Sequence, residues 1–152
     1  MNKLKIFLSL DWEMKRLLME SFFYLGIGKY LKSIPFSKVA PTLGKHMEET
    51  TFDPPVVNKK VLPKISQAIQ IMSRYTFWES QCLVKAIAAM KMLEKRQIES
   101  TLYLGTARDQ NGELIAHAWL RSGPYYITGF EEMHKFTVVG KFAKKLGGNN
   151  DD

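Results

Sequence analysis

The sequence predicts an α+β fold, on three observations. Helical spacing of apolar residues runs from near the amino terminus to about residue 97, and β-branched and aromatic runs follow it without alternating with it. The turns between those later runs, Asp109-Gln110-Asn111-Gly112 and Ser122-Gly123-Pro124, are short enough to join antiparallel neighbours. Helices first and strands afterwards put a helical layer on one antiparallel sheet. A chain of 152 residues buries one substantial core, and no segment calls for a second domain.

Residues 4–32 read as helix, broken near Ser9 and Asp11, with Trp12, Met14, Leu17, Leu18, Phe22 and Leu25 on a broad apolar face. Gly26, Gly28 and Pro35 end that pattern. Its expected role is packing against the rest of the fold; charges that interrupt the face speak against a membrane-surface role. Residues 33–56 read as loop, because Pro35, Pro41, Gly44, Pro54 and Pro55 break any period, and His46 falls there as an exposed residue. Residues 57–75 return to helical spacing through Val61, Ile65, Ala68, Ile69 and Met72, with Pro63 tolerable near the first turn.

A second amphipathic helix follows, with Ser80 as the expected N-cap and Leu83, Ala86, Ile87, Met90 and Leu93 as its stripe, to about Arg96. The runs at 100–108, 113–121, 125–130 and 135–142 are the expected strands. The division expected is a helical extension with a proline-broken loop at 1–56, a core at 57–142 and a disordered tail at 143–152.

Composition excludes several classes of function. A single cysteine rules out an internal disulfide and a zinc site built on several thiolates, and the three histidines show no metal-ligand spacing. The formal charge of +7 is spread along the chain, without a glycine-rich phosphate loop or an aromatic RNA-binding signature, so a solvated basic surface is expected and nucleic acid is not. No apolar run approaches the roughly 20 residues that span a bilayer, and no signal-peptide cleavage site follows the short one at 6–10. A cytoplasmic protein without stable membrane insertion is expected.

Cys82 stands where the second helix begins. There the helix dipole and free backbone N–H groups favour a thiolate and can receive an oxyanion. His117 stands mid-strand in IAHAWLR, where alternation places Ile115, His117 and Trp119 on one face and Ala116, Ala118 and Leu120 on the other. Two readings of this pair stand side by side. Either Cys82 is a buried structural thiol and His117 a core imidazole, or His117 withdraws the proton from Cys82 and later protonates a departing amine. His134, in the charged run EEMHK, is the competing base. A nucleophile at a helix start followed by His on an antiparallel strand is also the order of papain-like enzymes.

The run WESQCLVKAIAAMKMLEKRQIESTLYLGTAR, followed by AHAWLR and YYITG, resembles the transglutaminase-like leader peptidases of lasso-peptide biosynthesis, over residues 57–142. The resemblance implies a papain/transglutaminase-like core and a cysteine protease that removes the leader of a ribosomally made precursor through a thioester. It needs no cofactor. A separate ATP-dependent, asparagine-synthetase-like cyclase would then join the exposed amine to an Asp or Glu side chain. Residues 1–56 lack the run of strands expected of a fused leader-binding domain, so a separate leader-recognition protein is implied. By the same likeness Cys82 is the nucleophile and His117 the base. The family's Asp on the next strand is missing; Thr128 and Gly129 stand there, with the Thr128 hydroxyl able to accept from Nδ1–H and Glu131 or Glu132 as alternatives. Trp78, Gln81 and Trp119 are the candidates for oxyanion donation or substrate lining. Two other readings stay open: a thioester-forming amide synthase or transglutaminase, and a non-catalytic protein that escorts a peptide.

Overall fold

The computed structural model describes residues 5, 8–55, 59–76 and 81–146. Among these, four α-helices precede four strands of a five-stranded sheet: α1 (Trp12–Lys32), α2 (Phe36–Val39), α3 (Val61–Ser73) and α4 (Cys82–Lys95), then β2 (Ser100–Arg108), β3 (Leu114–Ser122), β4 (Tyr125–Thr128) and β5 (Thr137–Lys144). The remaining strand, β1 (Lys45–His46), lies between α2 and α3 in the chain. The sheet order is β1-β5-β2-β3-β4 and every pairing is antiparallel. The α+β class is as expected.

Each boundary has a local cause. Asp11 is extended and its carboxylate accepts the Met14 N–H at 2.8 Å, so the break foreseen near Ser9 and Asp11 is the N-cap of α1. Inside α1, Met14, Leu17, Leu18 and Leu25 face the core. Trp12 (73% exposed) and Phe22 (39%) point outward with Met19, Phe23 and Tyr30, which corrects the single broad face read from the sequence. The proline-broken segment is more ordered than expected. Pro35 precedes α2 and Pro41 sits in the first turn of a 3-10 helix (Ala40–Leu43), both positions where a missing N–H costs nothing. At the other end, β5 runs to Lys144, two residues into the expected tail.

The core forms where α4 meets α1, α3 and one face of the sheet. α4 is buried almost all round, through Val84, Ala86, Ile87, Ala88, Ala89, Met90, Met92 and Leu93. The sheet answers with Leu102, Ala118, Leu120, Ile127 and Phe142. Alternation sends Tyr103, Trp119 and Arg121 to the opposite face, where residues 49–52 meet Tyr103 and Arg121. Arg121 is wholly buried there. It donates to Tyr103 Oη, the carbonyls of Thr50, Thr51 and Gly123, and Thr101 Oγ1, at 2.8–3.3 Å. A guanidinium has five N–H donors, and all five are used.

Candidate active site

Helix α4 delivers Cys82 as its first residue. Gln81 precedes it with an extended backbone, and the Lys85 N–H donates to the Gln81 carbonyl at 3.0 Å, closing the first turn. The cap therefore falls on Gln81, one residue beyond the expected Ser80, which lies outside the described residues. The Gln81 side chain makes no capping bond and is exposed. The N–H groups of Cys82, Leu83 and Val84 have no carbonyl within the helix to donate to. The Cys82 side chain is half-buried, packed against the core.

A groove of about 890 Å³ opens beside the sulfur. One wall is α3 and its C-cap, through Leu62, Ser66, Ile69, Gln70 and Arg74; the other is β4 and the chain just after it, from Tyr125 to Glu132. Ser66 Oγ donates to the Ile127 carbonyl at 2.7 Å and ties the walls together. Cys82, Lys85, His117, Thr128 and Gly129 all line this space, so helix and sheet bring both residues to one groove, with His117 on the sheet face of Trp119 and not on the one that α4 packs against. No hydrogen bond joins them directly among the described residues.

The imidazole is held from behind. His117 Nε2 lies 2.7 Å from the Gly129 carbonyl oxygen. A carbonyl only accepts, so Nε2 carries the proton, and in the neutral ring Nδ1 keeps its lone pair. Gly129 has φ +72, and a Cβ there would stand 2.5 Å from the Ala118 carbonyl oxygen and 2.9 Å from Trp119 Cβ. Only glycine lets the chain cross so close and turn its carbonyl to the ring. The imidazole stacks with Trp119 (centroids 5.8 Å, 26°) and with Phe136 (5.0 Å, 28°).

Other sequence candidates are placed elsewhere. Thr128 lines the groove, but among the described residues its buried Oγ1 has no hydrogen-bond partner; instead of the hydroxyl accepting from Nδ1–H, the next residue's carbonyl accepts from Nε2–H. Glu131 and Glu132 line the groove without hydrogen-bonding the imidazole. Trp119 is 4% exposed and stacks behind His117 rather than lining the groove. Trp78 lies outside the described residues. His134 is exposed in a 3-10 turn (Met133–Lys135), away from the groove lining. His46, on the exposed edge strand, packs its ring at a tilt against Phe142, centroids 5.1 Å apart. The sequence reading missed the Gly129 carbonyl and Phe136. The signal for the first was a glycine directly after a strand, in the position where an acidic side chain was sought.

Among the described residues no cluster of His, Cys, Asp or Glu could hold a metal, and no helix is long and apolar enough to cross a membrane. No curated protein and no solved structure matches the chain. A family model described as the transglutaminase-like superfamily matches residues 30–141, from the end of α1 into β5. With its helices packed on an antiparallel sheet, the chain belongs to the transglutaminase-like superfamily, whose members are generally cysteine proteases and acyltransferases.

Proposed function

We propose that this protein is a cysteine peptidase that cleaves one bond of a lasso-peptide precursor and frees the core from its leader. The observation that carries the reading is one groove holding both Cys82 and His117, with the ring anchored through Nε2 and Nδ1 left unprotonated. His117 Nδ1 takes the thiol proton as Cys82 Sγ attacks the scissile carbonyl. The resulting oxyanion meets the N–H groups of the first turn of α4. Collapse breaks the C–N bond, and Nδ1–H gives its proton to the departing amine, leaving a thioester on Cys82. Water, deprotonated by His117, then hydrolyses the thioester and restores the thiol. Thiol and imidazole come into hydrogen-bonding distance as the peptide closes the groove, a tightening common in such sites.

The motifs around Cys82 and His117 support the lasso assignment. With it come a separate leader-recognition protein that presents the precursor and an asparagine-synthetase-like cyclase that takes the core. The test is mass spectrometry of a synthetic precursor incubated with the protein and a leader-recognition protein. Wild type yields leader and core; Cys82→Ala yields neither and keeps its fold. Cleavage by Cys82→Ala would refute the assignment, and a cross-linked or cyclised product without ATP would favour an amide synthase instead.

A further inference from the structure

We infer that Phe136, stacking on His117 together with Trp119, is a positioning residue that fixes the direction and tautomer of the imidazole. The inference rests on the reading of His117 as the base. A ring anchored on one nitrogen by one neutral acceptor can swivel about that hydrogen bond, and a main-chain carbonyl carries no charge with which to hold an imidazolium. Stacking supplies the missing restraint. Phe136 lies 5.0 Å from the imidazole at 28° and Trp119 lies 5.8 Å away at 26°, within the usual range for stacked rings. Both π faces also favour the ring when it carries positive charge during turnover.

The clamp is backed on one side and given room on the other. Behind Trp119, Tyr103 stacks at 5.6 Å and 14°, and Arg121 Nε donates to its hydroxyl at 2.9 Å. On the other side Phe136 comes close because position 105, paired with His117 across the strands, has no side chain. A Cβ at Gly105 would stand 2.8 Å from Phe136 Cβ and 2.9 Å from the Trp119 ring. Neither Phe136 nor Trp119 lines the groove, so each acts through the imidazole and not on the peptide.

The experiment is a long-range ¹H–¹⁵N correlation of the labelled full chain, which reads the tautomer of each histidine, with His117→Asn identifying the His117 signals. Wild type should show the Nε2–H form. Phe136→Leu keeps bulk but removes the ring; the two nitrogen signals should move toward an average of tautomers. Cys82 should also react about tenfold more slowly with iodoacetamide at pH 6. Phe136→Tyr should restore both. Gly105→Ala pries the clamp open without altering either ring and should give the same spectral change, and it decides the matter should Phe136→Leu not fold. A folded Phe136→Leu or Gly105→Ala that keeps a pure Nε2–H ring overturns the clamp, whatever the peptidase does. A tautomer shift in a protein whose wild type cleaves no precursor upholds the clamp and sinks the peptidase reading.

Discussion

Replacing Arg121 with methionine should destabilise the fold by about 3 kcal/mol, and the figure follows from counting what is left behind. Methionine fills much of the same space, so packing changes little. Of the five acceptors, Tyr103 Oη keeps a partner in Glu49, and Thr101 Oγ1 keeps the Thr50 N–H and hydroxyl. The Thr51 carbonyl belongs to an exposed residue and can turn to water. The carbonyls of Thr50 and Gly123, both buried residues, are orphaned, at about 1–3 kcal/mol each. Losing the guanidinium over Phe52, 3.6 Å from the ring centroid, adds about 1 kcal/mol. Relief from burying a charge offsets part of this, since Glu49 lies 3.7 Å away and retains Lys141. For a chain of this size, about 3 kcal/mol lowers Tm by about 6–12 °C. Urea unfolding should show a lower midpoint with an unchanged slope. Arg121→Lys should rescue little, because one ammonium cannot reach five divergent acceptors. A loss below about 1 kcal/mol for Arg121→Met would refute the reasoning, because it would mean the orphaned carbonyls find other donors.

Two further outcomes are expected. Thr128→Val removes a buried hydroxyl that has no partner among the described residues, so urea unfolding should find stability unchanged or raised by about 1 kcal/mol; a loss of precursor cleavage at unchanged stability would instead give that hydroxyl a role in the reaction. For Glu20, burial pushes the carboxyl up, but the two hydrogen bonds and charge of Arg96, with Lys95 and Arg16, outweigh it and hold it below the ordinary 4.5. A depressed carboxyl stabilises the fold above its ordinary value and loses that contribution as pH falls through the lower folded one. The stability advantage of wild type over Glu20→Gln should therefore persist at pH 5–7 and shrink below about pH 4.5; an advantage that grew on acidification would contradict the ion pair.

How much of this was legible in the sequence depends on how far each feature is set by local pattern. The strands of β2 and β3 were read almost to the residue, because β-branched and aromatic residues between strong turn signals leave little freedom. Strand β1 was missed: its two residues pair at a sheet edge and bury nothing, so no periodicity marks them. On α1 the apolar residues lie on both sides of the helix, and spacing alone could not say that Leu17 and Leu25 face inward while Trp12 and Phe23 do not. That choice is made by the α4 surface it packs on. In the site, Cys82 and His117 could be singled out because their side chains carry reactive chemistry. The Gly129 anchor could not, since every residue has a carbonyl and only the turn decides which one faces the ring. Phe136 was equally silent, its role arising from the empty space over Gly105 on a neighbouring strand.

That the imidazole leans on a peptide oxygen changes what mutation can do to the site. A side-chain partner is erased by a single codon change, whereas an amide oxygen survives any replacement of the residue that bears it, provided the loop keeps its path. The vulnerable trait is the left-handed backbone at position 129, and any residue there with a β-carbon would disturb it. A search among distant relatives for an acid at this spot would overlook sites of this construction, while a search for an achiral residue just past the strand would find them.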